Sequence, residues 1–76
     1  MADVTIYTSP TCVHCKAAKA FMQENNIPYT EKDVMADEEA RSWMLERGYR
    51  GVPVIVVDGQ EMMGFDAQKL SEMVGQ

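Results

Sequence analysis

The sequence predicts an α/β domain of order β-α-β-α-β-β-α, a four-stranded mixed sheet with three helices, on three observations. Runs rich in β-branched and aromatic residues alternate with stretches whose apolar residues recur at helical spacing. Acidic residues stand where two of the helices would begin, at Asp37-Glu38-Glu39 and at Asp66, which suits a helix N-terminus. Asp58-Gly59 separates the last two strand-like runs and is a two-residue hairpin signal.

Taken in order, Val4-Thr5-Ile6-Tyr7 suits a strand and Ser9-Pro10-Thr11 marks a turn. From Val13 to Asn25, Ala17, Ala18, Phe21 and Met22 fall at helical spacing, with Lys16, Lys19, Gln23 and Glu24 on the other face. Pro28 to Val34 reads as the second strand, and the helix joining it to the first makes a βαβ unit, hence a parallel pair. A second helix begins at the Asp37 acids and stops at Gly48, with Ala40, Trp43, Met44 and Leu45 turned inward. Pro53 to Val57 and Gln60 to Met63 then pair antiparallel as a hairpin. Asp66 caps the last helix, where Phe65 and Leu70 are spaced as a hydrophobic staple and Ala67, Leu70 and Val74 share a face. No repeat, linker or low-complexity segment interrupts this order, so residues 1–76 read as a single domain.

Composition narrows the function classes. A formal net charge of -5 disfavours nucleic acid and anionic membranes as partners. The longest apolar run, Val52 to Val57, is far short of the ~20 residues a membrane span needs. Met1-Ala2-Asp3-Val4 has neither a basic segment nor an apolar stretch, which argues against a secretory signal and for a cytoplasmic location; a monomer is expected. In that reducing compartment a lone cysteine pair is catalytic or metal-binding rather than a structural staple.

The only cysteines, Cys12 and Cys15, stand in Thr11-Cys12-Val13-His14-Cys15-Lys16, where the first strand gives way to the first helix. Residues at i and i+3 of a helix lie about 5–6 Å apart, within the Cα separation of roughly 4.4–6.8 Å that a disulfide needs. Unpaired N–H groups at the helix start favour a thiolate, so Cys12 is expected to be the nucleophile and Cys15 the resolving thiol. His14, inside the loop, is placed to tune that thiolate. Pro53 opens a strand without offering a ladder donor, which leaves the peptide groups before it, at Val52, available to an extended substrate.

The dithiol after the first strand, Gly51-Val52-Pro53 before the third, and Gly64-Phe65-Asp66 before the last helix together resemble the glutaredoxins, a branch of the thioredoxin fold. The likeness extends to their short members and to the glutaredoxin-like electron donors of ribonucleotide reductase. It implies a thioredoxin-like fold and a thiol-disulfide oxidoreductase acting on protein disulfides or glutathione mixed disulfides. It also implies a cis Pro53 facing Cys12, with Thr11, Val13, Val52, Gly64, Phe65 and Asp66 lining the substrate side. No bound cofactor is expected, and the electron source would be glutathione or thioredoxin reductase. The chain departs from the glutathione-using members at two places. Ser9 stands where many carry a base, and Ala67 replaces the second acid of their Gly-Gly-x-Asp-Asp. Lys16, Arg47 or Arg50 would then have to supply the missing cation.

A Cys-x-x-Cys pair also suits soft metal ions, as in copper chaperones, although those resemble β-α-β-β-α-β and carry a Met where this chain has Pro10-Thr11. A structural zinc needs four ligands, more than Cys12, Cys15 and His14 provide. Some glutaredoxins share an iron-sulfur cluster between two subunits, a role typical of members with a single active-site cysteine. The remaining features have structural readings: the seven methionines are core filler, with Met62-Met63 near enough to the site to touch substrate. Trp43 is core. The carboxylates Asp33, Asp37, Glu38 and Glu39 are a helix start and a solvated face.

Overall fold

The computed structural model describes residues 3–75. Its elements are β1 (Val4–Thr8), α1 (Val13–Glu24), β2 (Thr30–Asp33), α2 (Glu38–Glu46), β3 (Val54–Val57), β4 (Gln60–Met63) and α3 (Ala67–Val74). The sheet order is β2-β1-β3-β4, with β1 parallel to β2 and the other neighbours antiparallel. The expected element order and the expected mixed sheet of four strands are both present.

Period-2 alternation sends each central strand to two cores. Val4, Ile6, Ile55, Val57 and Met62 face α1 and α3, where they meet Ala18, Met22 and Leu70. Tyr7 and Val54 face the opposite way, onto Ala40 and Met44 of α2 and onto Val34. Both sheet faces are therefore covered by helices, and Thr8 is the one polar residue buried among those described.

The helix ends follow from side-chain chemistry. Cys12, Asp37 and Asp66 each accept a bond from the N–H three residues on, as N-caps do. At the end of α2, Gly48 adopts φ 84°, and its N–H bonds the Leu45 carbonyl while Tyr49 N–H bonds that of Met44. This pair of bonds is a Schellman motif, and its left-handed residue has no Cβ to clash. α1 ends the same way with Asn26 at φ 56°, and Ile27 N–H reaches back to Met22. Asp58 and Gly59, both at positive φ, form the expected hairpin turn.

Several expectations need correction. Ala17 is exposed and Cys15 takes its place on the inner face of α1, because Cys15, Ala18 and Met22 form the better three-and-four spaced stripe. Leu45 is 52% exposed, since it lies a full 100° step round α2 from Met44. Ala67 is exposed at the first turn of α3, while Leu70 is buried and Val74 packs on the core. β2 starts at Thr30 rather than Pro28, because Ile27 is used to close α1 and Pro28 has no N–H for the ladder. Phe65 and Leu70 enter the same core, as the staple requires.

Gly48→Ala is expected to destabilise the fold by ~1–2 kcal/mol through the left-handed backbone it must keep. Gly51→Ala, where φ is not positive and a Cβ would meet open space, should shift stability by less than about 0.5 kcal/mol. Urea midpoints of the two variants check the contrast.

Candidate active site

Cys12 is the N-cap of α1, with extended backbone at φ −91° and ψ 112°. Its own N–H bonds Ser9 O at 3.2 Å, closing the turn that ends β1, and its carbonyl accepts from Lys16 N–H at 3.3 Å. The sulfur thus sits where helical N–H groups point outward, and Cys15 N–H reaches Cys12 Sγ at 3.1 Å. On its other side Cys12 Sγ lies 3.7 Å from the carbonyl of Val52. The Val52-Pro53 peptide is cis, and Pro53 O accepts from Gly64 N–H at 2.7 Å, which joins the start of β3 to the segment entering α3.

The two thiols differ in setting. Cys12 is partly exposed and Cys15 is 1% exposed beneath it. Burial pushes the Cys15 thiol up from its ordinary 9.0 to about 12, helped by the hydrogen bond and charge of Cys12 and opposed by a backbone bond from Ser9. Cys15 is therefore a neutral thiol near pH 7. One turn further along α1, Lys19 Nζ meets Glu31 Oε2 at 2.7 Å, and the buried Thr8 hydroxyl donates to the same oxygen at 2.9 Å. The Lys19 bond, followed by the Thr8 bond, holds the Glu31 carboxyl below the usual range, and Glu31 in turn raises Lys19.

The other candidate residues divide. Thr11, in the turn before α1, and Val13 and His14, in its first turn between the two cysteines, are exposed, with Thr11 N–H 3.4 Å from Ser9 Oγ. Phe65 turns inward onto Phe21, ring centroids 5.7 Å apart, so its side chain is core. Asp66 Oδ1 is taken up by Lys69 N–H as a cap. Of the cations expected to serve carboxylates, Arg47 is committed elsewhere: it pairs with Glu61 at 2.9 Å and lies over the Trp43 ring. Met62 is buried rather than at the site, whereas Met63 is 63% exposed. Among the described residues no three His, Cys, Asp or Glu side chains converge on a metal position. The element order also differs from the β-α-β-β-α-β of copper chaperones. The Ser9 bonds to the dithiol and the Thr8–Glu31–Lys19 group have no motif and were not foreseen.

Comparison with known proteins agrees with this geometry. The Glutaredoxin family model matches residues 4–62, from the start of β1 into β4. The chain belongs to the glutaredoxin family. Within it, this glutaredoxin is 32% identical over 72 residues to a glutaredoxin-like 8.6 kDa protein in the rubredoxin operon of Clostridium pasteurianum, covering 93% of this chain and 96% of the relative. The crystal structure of the thioredoxin-like protein BC3987 superposes with a TM-score of 0.86 at 35% identity, covering 93% of this chain and 99% of that one. The glutaredoxin-like NrdH-redoxin of Escherichia coli gives a TM-score of 0.87 at 27% identity over 92% of each chain. A 34-residue stretch is also 50% identical to the global transcriptional regulator Spx of Staphylococcus aureus, covering 45% of this glutaredoxin and 26% of the regulator.

The raised Cys15 thiol has a consequence for stability. With a folded value above its ordinary one, the group contributes stability that is intact below about pH 9 and is lost as pH rises toward 12. Denaturation of reduced protein across that range should show a steeper decline than in Cys15→Ala; parallel curves would contradict the assignment.

Proposed function

We propose that this chain is a dithiol electron carrier that reduces protein disulfides and is itself recharged by thioredoxin reductase. The observation that carries the reading is the position of Cys12 Sγ, partly exposed at the start of α1, 3.7 Å from Val52 O beside the cis Val52-Pro53 peptide, with Cys15 buried beneath. Cys12 thiolate attacks one sulfur of the target disulfide, forming a mixed disulfide and expelling the other sulfur as a thiolate. Cys15 then gives up its proton and attacks Cys12 Sγ, which releases the second target thiolate and leaves a Cys12–Cys15 disulfide. The target gains two electrons and the protein loses them; the proton given up by Cys15 and one from water protonate the two released thiolates. During resolution the N–H at Cys15 and the backbone bond from Ser9 stand next to the sulfurs on which charge appears.

Thioredoxin reductase is favoured over glutathione by the residues around the dithiol. Ser9 offers no cation, Arg47 is held by Glu61 and Asp66 is occupied as a helix cap, so of the cations expected to serve glutathione's carboxylates Lys16 and Arg50 alone have no carboxylate partner among the described residues. The likeness to NrdH-redoxin, a glutaredoxin-like protein with a thioredoxin-like activity profile, supports the same choice. The protein would work as a monomer in the cytoplasm, where such a reductase keeps thiols reduced. No described helix is long and apolar enough to cross a membrane. Exposed in the first turn of α1 between the two cysteines, His14 is the side chain we assign to tuning the reduction potential of the pair.

Oxidised protein supplied with NADPH and thioredoxin reductase should support steady NADPH oxidation with insulin as substrate, and Cys12→Ser should abolish it. Turnover only with glutathione and glutathione reductase would reverse the choice of reductant, and none with either would remove the oxidoreductase reading. Separately, His14→Tyr is expected to lower the dithiol potential by about 30 mV, a tenfold change in the two-electron equilibrium, read by equilibration against a dithiothreitol redox buffer.

A further inference from the structure

Beside the dithiol runs a groove of about 280 Å³ between the end of β1, α2 and the loop leading to β3. Val34, Met35, Met44, Leu45 and Val52 make it predominantly apolar, and Arg41 and Arg50 line it as well. Its two walls nearest the chemistry are residues that already hold Cys12. Ser9 O accepts the Cys12 N–H, and Val52 O lies 3.7 Å from Cys12 Sγ. A target chain joined to Cys12 and running past Val52 therefore delivers its neighbouring side chains into this groove.

Three features say what those side chains are. Met35, in the turn before α2, is 69% exposed and Leu45, on α2, is 52% exposed, large apolar groups with nothing folded over them, although the outward positions of turns and short helices are ordinarily polar. The volume lies near the lower end of ligand pockets, ~300–1,000 Å³, and suits one or two aliphatic side chains rather than a cofactor. Both arginines are exposed and neither has a carboxylate partner among the described residues, in a chain whose net charge is -5. Lys19 and Arg47, by contrast, are each bonded to a glutamate.

We infer that this groove selects protein targets whose redox-active cysteine is flanked by an apolar residue and a carboxylate, the apolar side chain covering Leu45 and Met35 and the carboxylate pairing with Arg41 and Arg50. The inference rests on the thiol-disulfide exchange reading above and adds the substrate class. It also runs against the overall charge, which by itself favours basic targets. A preference for acidic segments would thus be the work of local groups.

The test uses two synthetic peptides, each with a central cysteine activated as the thionitrobenzoate mixed disulfide and flanked on both sides by leucine. One carries glutamate beyond each leucine and the other lysine. Mixed with the reduced protein in stopped flow, Cys12 attacks the peptide sulfur and releases coloured thionitrobenzoate. The glutamate peptide is expected to react about fivefold faster at low salt, the scale of two exposed ion contacts. In Arg41→Gln/Arg50→Gln that ratio should fall to about one or below, whereas Lys69→Gln, a cation outside the groove, should retain it. Leu45→Ser should slow both peptides together. Each ratio is internal to one variant, so a folding defect that slows both peptides does not imitate the effect. Equal rates for the two peptides in the wild type, or an unchanged ratio in the double arginine variant, would overturn the inference. So would loss of the preference on adding S-methylglutathione at micromolar levels, which would make the groove a glutathione site. Failure of the wild type to outpace Cys12→Ser on either peptide would instead strike the exchange reading itself.

Discussion

Antiparallel pairing of β1 with β3 is the constraint on which the rest depends. Their register runs from Val4 opposite Val57 to Tyr7 opposite Val54. The segments just beyond, Ser9 to Cys12 on one strand and Val52-Pro53 on the other, consequently emerge at the same end of the sheet. A slip of two residues would move one strand by about 7 Å and carry Val52 out of reach of Cys12. A slip of one would turn Ile6 and Ile55, both fully buried, to the wrong core. The same pairs that make the core thus set the distance between thiol and carbonyl. β2 adds to the lock, since Val34 N–H bonds Thr8 O at the last position of β1.

The α2 face is held by stacked groups rather than by aliphatic packing alone. Tyr7 and Trp43 lie face to face, with ring centroids 4.6 Å apart and planes 2° from parallel. Lys32 approaches the Tyr7 ring, and Arg47 covers Trp43 at 4.2 Å. From β4, Glu61 ties Arg47 and the Tyr49 hydroxyl together at 2.9 and 2.8 Å. An aromatic pair adds ~0.5–1.5 kcal/mol beyond its buried area, and exposed ion pairs ~0.2–1 kcal/mol, so the stack is the larger contribution. Its effect on function is positional. It fixes α2 between β1 and β4, and α2 contributes Arg41, Met44 and Leu45 to the groove beside the dithiol.

Two chemically identical residues acquire opposite roles from three residues of helix. Cys12 precedes the first turn and keeps one side open, whereas Cys15 faces the inner stripe with Ala18 and Met22. Desolvation keeps Cys15 a thiol at neutral pH, so that only one sulfur of the pair is poised to open an exchange while the other waits for the mixed disulfide. The same burial places Cys15 one turn from Lys19, whose ammonium is already engaged by Glu31 and, through it, by Thr8.

By itself the sequence determined what short-range physics controls. Strand-like and helix-like runs, the Asp58-Gly59 turn, the caps at Asp37, Asp66 and Gly48, and the dithiol at a helix start are each set by a few neighbouring residues, and all are found in place. The cis Pro53 beside Cys12 was legible only through the resemblance that the dithiol, Gly51-Val52-Pro53 and Gly64-Phe65-Asp66 form together. What tertiary structure decided is what depends on partners distant in sequence. Insertion of β3 beside β1 carries no local signal, nor does the capture of Arg47 by Glu61, fourteen residues away. The inward faces of α1 and α2 exclude Ala17 and Leu45, because a 100° step per residue leaves neighbouring positions equally apolar until the sheet chooses between them. The groove lined by Arg41, Leu45 and Arg50 exists only once α2 is docked, since its walls come from separate elements and their proximity is a product of packing.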